Sequence, residues 1–135
     1  MSRRDRDPET LFAGALEGDR SALARLLSMI ERGGTEARAI GRLAYPRGGG
    51  CYTVGLTGAP GAGKSTLTSS IIGHLRRQDL EVAVLAIDPS SPFTGGAILG
   101  DRVRMQDHAT DRGVFIRSMA TRGHLGGLSL AAPEA

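Results

Sequence analysis

The chemistry in this chain gathers around one residue. Lys64 is the only lysine among 135 residues, every other basic side chain apart from histidine being arginine, and it stands in Gly58-Ala59-Pro60-Gly61-Ala62-Gly63-Lys64-Ser65. That segment matches the phosphate-binding pattern G-x-x-x-x-G-K-[ST] in full. A compact ammonium on a flexible stem can touch two phosphates at once, whereas the planar guanidinium of arginine cannot take its place there. The glycines let successive backbone N–H groups turn inward as an anion nest, at φ values that a Cβ would penalise. Ser65 adds a hydroxyl suited to Mg²⁺. The nucleotide-binding set expected here is Gly58, Ala59, Pro60, Gly61, Ala62, Gly63, Lys64, Ser65 and Thr66.

Such a loop works only between a buried strand and a helix. Tyr52-Thr53-Val54-Gly55-Leu56-Thr57 is a β-prone run leading into it, and Leu67, Ile71 and Leu75 recur every four positions behind it, the spacing of one helical face. The helix start, with its unsatisfied N–H groups and positive dipole end, is then expected to face the phosphates. A second strand is expected over Glu81-Val82-Ala83-Val84-Leu85-Ala86-Ile87, apolar enough to be covered on both faces. It runs into Asp88-Pro89. Ligands of open α/β sheets sit beyond the carboxyl ends of the strands, which puts Asp88 on the rim shared with the phosphate loop. A third strand is expected over Gly113-Val114-Phe115-Ile116-Arg117-Ser118.

Between the second and third strands lies a Pro-, Gly- and hydroxyl-rich segment, residues 89–102. Asp101 within it could reach a bound metal through water or orient an attacking water, while Arg102 and Arg104 read mainly as solvated charges. The fold expected is α/β, a P-loop NTPase with a mostly parallel, doubly wound and incomplete sheet.

A helical segment precedes it. Asp7 is placed to cap a helix with Pro8 and Glu9 in its first turn, and Gly18 to end it. Asp19 starts a second helix whose Leu23, Leu26, Leu27 and Ile30 form a buried stripe, stopped by Gly33-Gly34. A third, weaker helix is expected from Thr35 to Leu43. Residues 45–50, Tyr-Pro-Arg-Gly-Gly-Gly, read as a hinge, giving a helical segment over 1–47 and a nucleotide-binding unit over 48–135.

Composition excludes several classes. A net charge of +3 from 17 basic and 14 acidic residues, with 4% aromatics, argues against a nucleic-acid partner. The longest strictly apolar run, Val82 to Ile87, is too short for a bilayer span. Arg3-Arg4 is followed by Asp5, Arg6, Asp7 and Pro8 with no apolar stretch, so no export signal is read there. Cys51 has no internal disulfide partner, which fits a reducing, cytoplasmic setting.

Three blocks, Leu56 to Leu67 around the loop, Ala86-Ile87-Asp88-Pro89-Ser90-Ser91-Pro92, and Thr94-Gly95-Gly96-Ala97-Ile98-Leu99-Gly100-Asp101-Arg102, together resemble the methylmalonyl-CoA mutase-associated GTPases of the MeaB type. Ile116-Arg117-Ser118-Met119, Arg122-Gly123 and Leu125-Gly126-Gly127-Leu128 extend the resemblance. It implies a GTP and Mg²⁺ site in which Lys64, Asp88 and Asp101 are catalytic, Lys64 touching the terminal phosphates while Ser65, Asp88 and Asp101 surround the metal. It also implies a chaperone for an adenosylcobalamin-dependent methylmalonyl-CoA mutase, and a homodimer for the full-length protein.

Family members continue into an acidic Walker B-type segment and an N-K-x-D guanine-reading motif; the sequence here ends at Ala131-Ala132-Pro133-Glu134-Ala135, and its one lysine is already used by the loop. The expectation is therefore a truncated P-loop GTPase domain, weakly stable and with low unfolding cooperativity. Three other readings stay open: a metallochaperone GTPase of the nickel-insertion kind, although Cys51, His74, His108 and His124 are scattered; a small-molecule kinase or transport-coupled ATPase; and a non-catalytic interaction fragment.

Overall fold

The structure is a computed structural model that describes residues 7–59, 61–88, 108 and 110–120. These divide into two compact units, one running to Tyr52 and the other beginning at Thr53.

The first unit is three helices, α1 (Pro8–Leu16), α2 (Arg20–Arg32) and α3 (Gly34–Ala44), followed by a 3₁₀ turn, Tyr45–Arg47. Each start has a local cause. The Asp7 carboxylate accepts hydrogen bonds from the Thr10 backbone N–H and hydroxyl, both at 3.0 Å, and Pro8 supplies a preset φ in the first turn. Asp19 accepts from the N–H groups of Ser21 and Ala22 at 2.8 and 3.2 Å. Gly33 and Gly34, at φ 73° and 87°, stop α2 and start α3 in a conformation that side chains resist.

The buried stripe of α2 is Ala22, Leu26, Leu27, Met29 and Ile30, wider than sequence spacing suggests, and Leu23 is only half-buried. The reason is that α2 packs against both neighbours. Leu11 of α1 and Ala37 and Ile40 of α3 complete the core. At Gly14 α1 faces Ala22, and a Cβ built there would meet the Ala22 Cβ at an ordinary 3.5 Å. Arg47 donates to the Leu43 carbonyl at 3.3 Å and sets its guanidinium 5.5 Å from the centre of the Phe12 ring, tying the last turn to α1.

The second unit contains α4 (Lys64–Arg76) and two strands, β1 (Val82–Asp88) and β2 (Val114–Ala120). The strands pair in parallel, Val82 opposite Val114 through to Asp88 opposite Ala120. After α4 the chain turns through Asp79, at φ 57°, with the Leu80 N–H returning to the Leu75 carbonyl at 3.2 Å. The core joins Ile72 and Val114, flanked by Val82, Val84 and Ile116. Helices with a parallel pair of strands are the α/β class expected of a P-loop NTPase.

Three expectations change. Residues 52–57 form no strand; they are exposed, Tyr52 at 94% and Val54 at 62%. The α4 face turned to the sheet is set by Ile72, whereas Ile71 and Leu75 are half-buried and Leu67 is 52% exposed. The spacing of 67, 71 and 75 was helical, but the position of the sheet selects the adjacent row. β1 is covered on one side: Val82 and Val84 are half-buried with Ile72, while Ala83 and Leu85 on the opposite face are exposed. Among the described residues no helix is long and apolar enough to cross a membrane.

Candidate nucleotide-binding site

The loop closes through a tight turn, Ala62 N–H to the Ala59 carbonyl at 3.2 Å, and passes through Gly61 and Gly63 at φ 77° and 86°. Both angles lie in the left-handed region, where a Cβ costs free energy. Gly63 is the last residue before α4, so the backbone swings directly from the loop into the helix.

Lys64, the first residue of α4, folds back over the loop. Its Nζ donates to the carbonyls of Gly58 and Ala59, both at 2.8 Å, and its stem crosses Gly58, where a Cβ would meet Cδ at 3.7 Å. An ammonium has three donors. Two hold the loop carbonyls among the described residues, which leaves one for an incoming anion. No side chain among the described residues caps the start of α4 and no acidic residue occupies its first turn. The first N–H groups of a helix have no intrahelical partner, and the dipole there is positive. Lysine, loop and helix start thus present donors and positive charge in one place.

Ser65 is half-buried in the first turn of α4 and Thr66 is exposed beside it. Asp88 is the last residue of β1, opposite Ala120. Pro60, Asp101, Arg102 and Arg104 lie outside the described residues.

A second group of polar residues was not singled out from sequence. The Arg76 Nε donates to the Asp111 carboxylate at 2.9 Å and its Nη1 to the Leu80 carbonyl at 2.8 Å, joining the end of α4 to the approach of both strands. Asp111 also accepts from the Gly113 N–H at 2.8 Å. The Arg76 hydrogen bond, with the Gly113 N–H second, holds the Asp111 carboxyl below the usual carboxylate range, and the same carboxylate raises the Arg76 pKa. Gly113 leaves room for this: a Cβ there would fall on the Arg76 guanidinium. Nearer the loop, the His108 Nε2 lies 3.0 Å from the Ser69 hydroxyl and 3.1 Å from the Ser69 carbonyl. The only sequence signal for this group was the pair Asp111 and Gly113 before a strand, which reads as an ordinary turn.

The loop, the lysine and the α/β elements define a P-loop NTPase. The family model for "Methylmalonyl Co-A mutase-associated GTPase MeaB" matches residues 23–135. The chain is 60% identical over 119 residues to a Pyrococcus abyssi protein with a provisional GTPase name, covering 88% of this chain and 37% of that protein. It is 43% identical over 122 residues to the GTPase ArgK of Escherichia coli, covering 87% of this chain and 37% of ArgK. Over 131 residues it is 41% identical to the fused isobutyryl-CoA mutase of Cupriavidus metallidurans, covering 94% of this chain and 12% of the mutase. The chain belongs to the MeaB family of mutase-associated GTPases, and spans well under half the length of these relatives.

Proposed function

We propose that this chain supplies the phosphate-binding part of a GTP-binding and GTP-hydrolysing chaperone for an adenosylcobalamin-dependent methylmalonyl-CoA mutase, with residues 1–47 as its helical segment and 48–135 as its GTPase portion. The observation that carries the reading is the arch of Lys64 over the Gly58 and Ala59 carbonyls at the head of a helix that no side chain among the described residues caps. Family membership supports GTP as the nucleotide. The mutase partner is supported by the relative in which a related segment is part of one chain with a CoA mutase.

In this reading Lys64 keeps its hold on the loop and turns its remaining N–H to the terminal phosphates. The loop N–H groups and the start of α4 receive the other phosphate oxygens, in a geometry already set by Gly61 and Gly63. Ser65 is the metal ligand nearest the loop, with Asp88 and Asp101 as the carboxylates. A hydroxyl with two carboxylates is an all-oxygen set, which suits Mg²⁺. The ion supplies neutralisation of charge on the transferring phosphoryl group. In this reading Asp101 reaches the metal through water or orients the attacking water, and positioning with charge neutralisation accounts for most of the acceleration.

Calorimetric titration with GTP and with ATP, each in Mg²⁺, tests the reading. Saturable binding that weakens at least a hundredfold in Lys64→Ala is expected. Equal binding by that variant would overturn the site, and a preference for ATP would overturn the choice of nucleotide.

A further inference from the structure

His108, Asp111 and Gly113 lie along one side of α4. His108 meets Ser69, its ring passes Gly73, where a Cβ would lie 3.8 Å from Cε1, and Asp111 meets Arg76. Residues 69, 73 and 76 are separated by four and three positions, so they share a helical face. One turn toward the loop, that face continues into Ser65, about 6 Å away along the axis at 1.5 Å per residue.

The His108 end of this contact has a defined chemistry. Nε2 lies within hydrogen-bond distance of both the Ser69 carbonyl and the Ser69 hydroxyl; when protonated it donates to the carbonyl, which only accepts. The peptide that His108 holds pairs the Ser69 carbonyl with the Ser70 N–H, and in an α-helix that N–H bonds the Thr66 carbonyl, in the same turn as Ser65. The first residue of α4 that is fully buried is Ile72. His108 therefore holds α4 one turn after Ser65 and on the loop side of Ile72.

We propose that His108 is a positioning residue for the metal–nucleotide site: by donating from Nε2 to Ser69 it steadies the turn of α4 that carries Ser65. The inference rests on the nucleotide site proposed above. It separates two parts of binding. Contacts made by Lys64 and the loop do not depend on His108, whereas the gain in GTP affinity on adding Mg²⁺ does.

Two variants of the full chain distinguish donation from packing. His108→Phe keeps a ring against Gly73 but has no donor; His108→Gln keeps an N–H donor and loses the ring. GTP affinity is measured by calorimetry in Mg²⁺ and in EDTA, with thermal melts of both variants. Loss of one hydrogen bond predicts an Mg²⁺-dependent gain reduced about fivefold in His108→Phe, retained in His108→Gln, with EDTA affinities within about twofold of wild type. Retention by Phe with loss by Gln would show a packing role and overturn the proposal. So would equal behaviour of the two variants, including joint failure to fold. If the wild-type chain bound no GTP under either condition, the nucleotide site itself would fall; binding with an unaltered Mg²⁺ gain in His108→Phe would remove only the role of His108.

Discussion

The helical unit and the nucleotide-binding unit solve different problems with the same kind of sequence. In the first, α2 buries five side chains against α1 and α3, and each of α1 and α2 begins on its own aspartate cap. In the second, α4 buries one residue fully, begins with no side-chain cap among the described residues, and leaves Leu67 exposed. Of the packing helices, α1 and α2 satisfy their first N–H groups with their own aspartates, while α3 follows Gly33 without a side-chain cap. A helix whose task is to receive an anion leaves its first donors for the ligand, and its support comes from polar contacts further along: Ser69 with His108, and Arg76 with Asp111.

The largest effects should come from the two cores. Leu26→Ala in α2 and Ile72→Ala in α4 each remove a buried side chain and should cost about 2–5 kcal/mol, read by urea unfolding. The comparison sharpens if hydrogen exchange after Ile72→Ala rises in α4 and β1 and spares α2; a rise confined to α2 would break it. Next comes Gly113→Ala, which should displace the Arg76 guanidinium from its place beside Asp111 and lower the urea midpoint. Arg76→Ala, which leaves the space empty, should make the added Gly113→Ala change nearly neutral in a double-mutant cycle. Asp19→Ala should follow at about 0.5–2 kcal/mol, the cost of losing a helix cap.

The smallest effect is in acid. Asp111 has a folded-state pKa below its ordinary 3.8, so its contribution is fully present above that pH and is lost as pH falls below it toward the folded value. Asp111→Asn should flatten that segment of the stability profile relative to wild type. An unchanged slope would mean that the Arg76 contact contributes nothing in solution, as exposed pairs often do.

What the sequence disclosed follows the range of the interactions involved. The caps Asp7 and Asp19, the stop at Gly33-Gly34 and the phosphate loop are local, each legible within a few residues. Helix α3, expected over Thr35 to Leu43, spans Gly34–Ala44, and the strand expected to begin at Gly113 begins at Val114. What was missed depends on partners distant in the chain. Ile72 could be separated from Leu67, Ile71 and Leu75 only by knowing where the sheet lies. His108 meets Ser69 from 39 positions away and Asp111 meets Arg76 from 35, so neither side chain carries a local sign of its role. Residues 52–57 illustrate the converse: β-prone composition alone does not make a strand, and these residues form none.

The most direct test of the account is titration of the wild-type chain and of Lys64→Ala with GTP in the presence of Mg²⁺. Saturable binding by the wild type, lost in a variant whose circular dichroism spectrum is unchanged, is the predicted result. Wild-type binding that survives removal of the Lys64 ammonium, or no binding by either chain, would contradict the assignment of this loop as the phosphate site.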